Sequence, residues 1–413
     1  AEGPNGNWYP HHMYREGNPQ HDYHVKTYGH PSTFGYKDFI PLFTGEKFDP
    51  DEWAGCFRNA GAKFAGPVGE HHDGFCMWDT RLTPWNAARM GPKRDVVGQL
   101  EQAIRKQGLH FLVALHHAEN WWFYPHWRKE FDTADPEYAG LYGTAHNLDG
   151  DAGTGFFGTQ AKPDQAFLET WHDKIIEVID RYDPDMLWFD FGLHGIHEHY
   201  KKQFLSYYYD RARERNKEVV VTYKWDNIVP GTGLVDLELG RMGELTAHDW
   251  ITDTTVDAGE GWGYLRDTPY KSVVTLVHYL IDNVSKNGYL LLNVGPKPNG
   301  ELPEEAKAIL SGMGRWLEVN GEAIYGTTPW LVYGEGPTKM EKSGAFCEDK
   351  EVRYTARDIR FTAKGDTLYA ICLGWPAEPV TITYLKEAMY ASEIASIRML
   401  GHDRDLEWTM GPE

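Results

Sequence analysis

Residues 93–117 read KRDVVGQLEQAIRKQGLHFLVALHH. Val96, Val97, Leu100 and Ile104 recur at helical spacing and Gly108 supplies a C-cap, which predicts a helix. The run that follows is apolar at successive positions and ends in His116 and His117. A strand that is apolar without alternation is buried on both faces, as in a parallel sheet. This helix-then-strand unit decides the fold, because it recurs on both sides.

Upstream, FDPDEWAGCFRNAG (48–61) predicts a helix with Asp49 as N-cap, Pro50 in the first turn and Gly61 past the end; KFAGPV (63–68) follows as a strand. Downstream, helices are expected in 165–182, 201–216, 270–288 and 303–321. Strands are expected in MLWFDF (186–191), EVVVTYKW (218–225), LVDLEL (234–239), DWITDTT (249–255) and YLLLNVGP (289–296). There is no Gly-rich phosphate fingerprint. The alternation fits an α/β fold of the (β/α)₈ barrel type, with a doubly wound sheet as the alternative. The eighth strand would be the first, before Ala1, since AEGPNGNWYP reads as the interior of a loop. Residues 1–48 show little periodicity.

Beyond Trp330 the helices stop. EVRYTARDIRFTAKGDTLYAICLGW (351–375) alternates with period two, and VTITYL (380–385) and IASIRML (394–400) are read as further strands. The expected organisation is a (β/α)₈-like catalytic domain over 1–330, then a C-terminal antiparallel β-sandwich over 331–413, with further strands expected after LEWTMGPE.

The net charge is −20, which disfavours nucleic acid and anionic membranes as partners. No apolar run is long enough for a transmembrane helix, and no signal peptide is visible. The four cysteines stand far apart, without disulfide or zinc spacing. Aromatic residues make up 14%, enough for both a core and a platform for sugar C–H faces.

In a (β/α)₈ barrel the reactive groups sit at the C-terminal strand ends. Here successive strands end in His71 and His72, His116 and His117, Asp190, Lys224, and Glu238. Asp190 stands among Trp188, Phe189 and Phe191, where a carboxylate is costly unless it has partners or a task. The histidines could ligate zinc, but neighbours on a strand point to opposite faces, so one histidine of each pair would reach a shared ion. Imidazoles that donate to and accept from sugar hydroxyls fit better. Two carboxylates on different strand ends in an aromatic cleft point to glycoside hydrolysis, one as nucleophile and one as acid then base.

These stretches resemble the α-L-fucosidases of glycoside hydrolase family 29. The resemblance is carried by residues 36–80, including EHHDGFCMWDT, and by TPWNAARMGPKRDVVGQL (83–100), DMLWFDFG (185–192), GWGYLRD (261–267), VSKNGYLLLNVGPKPNGELPEEA (284–306) and VNGEAIYGTTPW (319–330). It implies a retaining exo-hydrolase of terminal α-L-fucose that needs no metal or other cofactor. The implied substrates are fucosylated oligosaccharides, glycoproteins, glycolipids or polysaccharides. It also implies an often exported protein. Residue by residue, Asp190 falls on the nucleophile and His71 and His72 on the fucose-binding pair. Trp188 and Trp262 fall on aromatic positions near the sugar. Counting back from HDW, Glu238 is the expected acid/base, with Glu260 as the alternative.

The chain departs from the family at three further positions. Asn7 stands where members carry a sugar-binding carboxylate, followed by Trp8; His116 stands where many have Tyr; Lys224 stands where Arg is frequent. Each keeps hydrogen-bonding capacity, so Trp8, His116 and Lys224 join the expected sugar site. A related galacto-configured deoxy sugar, a fucose-binding protein without turnover, and a metal hydrolase on His71, His72, His116 and His117 are the competing readings.

Overall fold

The computed structural model describes residues 8–147, 162–259, 261–340, 342–348, 352–386, 390 and 393–411. The chain divides into two compact units. The first contains 1–236, 257–270 and 294–307; the second contains 237–256, 271–293 and 308–413.

In the first unit six strands run parallel. They are β1 (Phe64–Ala65), β2 (Val68–Glu70), β3 (His110–Leu115), β4 (Met186–Phe189), β5 (Val220–Lys224) and β6 (Leu234–Asp236). Both β1 and β2 lie against β3, with Phe64 opposite His110 and Val68 opposite Ala114. Gly66 permits that approach, because a Cβ there would stand 1.6 Å from the Leu112 carbonyl oxygen. The ladder continues with Leu112 opposite Met186, Met186 opposite Val220, and Thr222 opposite Leu234. Helices Val96–Lys106, Gln165–Tyr182 and Glu198–Glu214 connect the strands, which is the (β/α)₈-like alternation.

Caps fix these helices in register. The Asp49 carboxylate accepts from the Asp51 and Glu52 amides and starts the helix Pro50–Asn59. Asp95 and Asp164 do the same for the next two. Each such cap is worth about 1 kcal/mol. At the start of β4, Asp185 accepts from the Phe111 amide at 2.7 Å and pairs with Arg105 and Lys217 at 3.0 Å. Burial opposes its charge, but these donors win and hold its carboxyl below the usual range.

In the second unit β7 (Trp250–Thr255) and β8 (Gly288–Asn293) pair in parallel, joined by the helix Val273–Ser285. Three antiparallel strands follow: β9 (Thr328–Glu335), β10 (Ile359–Lys364) and β11 (Thr367–Cys372), with β10 central. Asp282, itself buried, holds Lys286 at 2.8 Å and Arg360 at 2.6 Å.

Three expectations are corrected. The N-terminal region is not structureless, since Pro19–Tyr28 is a helix. Asn18 caps it through the Gln20 amide, with Pro19 at its first position. Residues 380–385 and 394–400 form no ladder; the Thr383 and Tyr384 amides donate to the Glu335 carboxylate, and Arg398 makes an isolated bridge to Asp405. Side-chain capture of backbone amides replaces the strand partner there. Gly288 does not end a helix but opens β8, and Asn287 takes the left-handed turn. No helix among the described residues is long and apolar enough to cross a membrane.

Buried neutral histidines set an acid limit to this fold. Burial is the leading cause that lowers His11 to about 3 and His126 to about 4; His117 is lowered to about 4 in the same way. An unfolded histidine titrates near 6.5, so the unfolded chain binds more protons below that pH. Stability is therefore fully present above about pH 6.5 and lost as pH falls toward 4, by on the order of 3 kcal/mol for His126. Asp73 opposes this: burial raises it to about 6, so its contribution is lost as pH rises. Three groups outweigh one. Tm is expected to fall between pH 7 and pH 4.5, and His126→Gln to reduce that fall. An unchanged Tm over this interval contradicts the assignment.

Candidate active site

The strand ends of the first unit converge on one cluster. β2 stops at Glu70, and the chain turns at once: the Gly74 amide donates to the His71 carbonyl, with Gly74 at φ +81°. Because His71 and His72 lie on this turn, the alternation rule does not separate them, and both rings face the cluster. Their centroids are 4.1 Å apart, and His71 lies 4.4 Å from His116. The expectation of one usable histidine per pair fails here. It holds on β3, where His116 joins the cluster while His117 turns away to bond the Trp171 carbonyl at 3.1 Å. His117 is thereby removed from the candidate ligands.

Asp190 follows β4 and is 9% exposed. His116 Nδ1 donates to its Oδ2 at 2.8 Å, and His72 Nε2 lies 3.5 Å from the same oxygen. Asp190 Oδ1 is buried and bonds no protein group among the described residues. Burial alone would raise this carboxyl. The charge and hydrogen bond of His116, then His72 and Lys224, override burial and hold it well below the usual carboxylate range. Asp190 is thus an ionised carboxylate with one oxygen anchored and one open.

The imidazoles are tuned in the opposite sense. Burial lowers His72 to about 4, partly offset by Asp190; burial and the two neighbouring rings push His71 well below the ordinary value. His72 Nδ1 donates to the His116 carbonyl at 3.0 Å. Trp8, half-buried, packs edge-on to His72 at 5.6 Å. Trp122 and Phe123 lie at the same distance from Trp8 and extend the aromatic wall.

Trp188 lies tilted beside His116 at 5.0 Å and donates its indole N–H to Asp236. Lys224 sits over the Trp188 ring at 4.7 Å and pairs with Asp236 at 3.5 Å. Asp236, at the end of β6, was missed by the sequence reading. So was Glu119, a buried carboxylate whose Oε2 lies 3.3 Å from His72 Nε2. The rule that reactive groups end strands would have found Asp236 had the expected strand 234–239 been ended three residues earlier. Glu119 carries no such signal, because it sits in a 3₁₀ turn, His117–Glu119.

Glu238 lies in the second unit, half-buried, its carbonyl accepting from the Phe346 amide at 2.7 Å. Trp262 is half-buried in the first unit. Asn7 and Glu260 lie outside the described residues.

An anchored carboxylate with an open oxygen, flanked by imidazoles and indoles, suits nucleophilic attack on a sugar carbon. The family profile "Alpha-L-fucosidase" matches residues 1–322, and "Alpha-L-fucosidase C-terminal domain" matches residues 350–413. Tissue alpha-L-fucosidase of Homo sapiens is 30% identical over 415 residues, covering 98% of this chain and 78% of its own length. The Rattus norvegicus tissue enzyme is 30% identical over 392 residues, covering 93% and 74%. The solved Thermotoga maritima alpha-fucosidase in complex with fucose has 33% identity and a TM-score of 0.68, covering 91% of this chain and 76% of that one. The chain belongs to the α-L-fucosidase family and is a glycoside hydrolase of (β/α)₈-like fold with a C-terminal antiparallel β domain.

Proposed function

We propose that Asp190 is the nucleophile of a retaining exo-α-L-fucosidase and that Glu238 is its acid/base. The observation that carries this reading is the asymmetry of Asp190, one oxygen on His116 and the other open. In the first displacement Oδ1 attacks the anomeric carbon, and the glycosidic oxygen leaves with a proton from Glu238. In the second, Glu238 takes a proton from water, which attacks the same carbon and releases Asp190. Two inversions leave the anomeric configuration retained.

His71, His72 and His116 grip sugar hydroxyls, and Lys224 supports that side of the site through Asp236. Trp8, Trp188 and Trp262 supply faces for the ring and its C6 methyl. Rejection of a sugar with a misplaced hydroxyl rests on the imidazoles, since an unpaired buried polar group discriminates more strongly than a methyl contact. The substrates are terminal α-L-fucosyl groups of oligosaccharides, glycoproteins, glycolipids or polysaccharides.

The test is turnover of an aryl α-L-fucoside in methanol-containing buffer, with NMR of the first product. Methyl α-L-fucoside is expected; the β anomer, or no release by folded protein, contradicts the reading. Glu238→Gln is expected to slow poor leaving groups by roughly 10²–10⁴-fold while sparing the first step with a leaving group that needs no proton. Equal loss for both kinds of leaving group moves the acid role elsewhere.

A further inference from the structure

We propose that His71, His72, His116 and Asp190 also form a binding site for a late first-row transition ion, Zn²⁺ or Cu²⁺, and that the ion shuts the enzyme off by taking the sugar's place. The inhibitory part rests on the reading of Asp190 as nucleophile; the binding part does not.

The three imidazoles offer ligand atoms that all lie within 4.8 Å of one another. The hydrogen-bond partners show which nitrogen of His72 and of His116 is free to ligate. His72 Nδ1 faces the His116 carbonyl at 3.0 Å, and a carbonyl only accepts, so that nitrogen carries the hydrogen. His116 Nδ1 faces the ionised Asp190 Oδ2 at 2.8 Å and carries its hydrogen for the same reason. Nε2 is therefore the nitrogen of His72 and of His116 left for a metal ion, which binds there in place of a proton. A ligating histidine in a metal centre is held in this way, its other ring N–H on a carbonyl or carboxylate.

Two further observations point to a cation. His116 Nε2 and Asp190 Oδ1 are both buried and bond no protein group among the described residues. His72 Nε2 lies 3.3 Å from Glu119 Oε2 and 3.5 Å from Asp190 Oδ2. Two carboxylate oxygens around this nitrogen favour a cation there, a proton or a metal ion. Three imidazole nitrogens and one carboxylate oxygen are a donor set for Zn²⁺ or Cu²⁺, not for Mg²⁺ or Ca²⁺, which take oxygen. Tetrahedral zinc with bonds near 2.1 Å wants its ligand atoms about 3.4 Å apart. The cluster has to close from within 4.8 Å to that spacing, and His71 is less enclosed than His72 and His116.

Such an ion would sit where the hydroxyls are gripped and would occupy the oxygen that attacks. The test uses protein stripped with a chelator and dialysed. Equilibrium dialysis against ZnCl₂ and CuCl₂, with elemental analysis, is expected to find one ion per chain, displaced by L-fucose. Inhibition of aryl α-L-fucoside turnover is expected to be competitive and reversed by chelator. His71→Gln and Asp190→Asn, each checked for an unchanged melting curve, are expected to weaken binding at least 10-fold; the second reads binding where turnover is lost. No stoichiometric ion at millimolar metal overturns the site, as does binding that neither variant weakens. Stripped protein that regains activity only when Zn²⁺ or Cu²⁺ returns overturns the inhibitory role. One bound ion in a protein that turns over no fucoside would refute the fucosidase reading and leave the binding site standing.

Discussion

Asp190→Ala is expected to reduce release of the chromophore from an aryl α-L-fucoside by at least about 10³-fold, some 4 kcal/mol of transition-state stabilisation. The reason is geometric. Oδ2 is committed to His116, so the open Oδ1 is the atom available for attack in the proposed mechanism. Asp190→Asn separates covalent from orienting roles, since its amide oxygen still accepts from His116 Nδ1. Both variants are expected to fail alike, because neither carries a nucleophilic carboxylate. Azide is expected to restore turnover in the alanine variant by entering the vacated volume. It would attack the anomeric carbon once and give the azide of inverted configuration. Activity within 10-fold of wild type in either variant would remove Asp190 from the mechanism.

Lys174→Met is expected to lower Tm by about 10 °C, from a loss of roughly 3–5 kcal/mol. Lys174, on the helix Gln165–Tyr182, reaches Glu70 Oε1 at 2.6 Å, while the Cys76 thiol donates to Oε2 at 3.3 Å. Glu70 is 1% exposed, so removal of the lysine leaves a buried carboxylate without its counter-charge. The damage reaches the site as well. Glu70 precedes His71, and its carbonyl accepts from the His116 amide at 2.9 Å. Thus kcat/KM is expected to fall together with Tm. The double variant Glu70→Met, Lys174→Met removes both charges and is expected to recover most of both losses, since an apolar pair of similar size replaces a buried ion pair at little net loss. A double variant no better than Lys174→Met would show that Glu70 acts through more than its charge.

The strand–helix alternation was legible because strands buried on both faces, such as HFLVAL, leave no polar period to confuse them with helices. Asp190 stood out for a related reason: a lone carboxylate among Trp188, Phe189 and Phe191 has few structural excuses. Four features were not legible. The turn at His71 lets two successive side chains share one face, which no strand pattern anticipates. Asp236 and Glu238 lie two residues apart in LVDLEL, and only the end of the β6 ladder separates them. The helix Pro19–Tyr28 was concealed by polar and aromatic residues that give no apolar stripe, although Asn18 and Pro19 announce its start. In the C-terminal part, period-two alternation at 380–385 met a glutamate side chain instead of a neighbouring strand.

β4 has an aspartate at each end, and the two do opposite work. Asp185 is nailed to Phe111, Arg105 and Lys217 at the start of the strand, and Asp190 meets His116 past its end. Five residue steps separate them, about 16 Å of extended chain. The strand is therefore a ruler with a fixed zero. A point substitution between the marks alters packing, but an insertion or deletion cannot be absorbed: with Asp185 held, one residue gained or lost carries Asp190 about 3.3 Å along the strand and onto the opposite face. Length variation among descendants of this chain should accordingly accumulate in its loops and be absent from residues 185–190, and a library of single-residue insertions scored for fucoside turnover would read out that ruler directly.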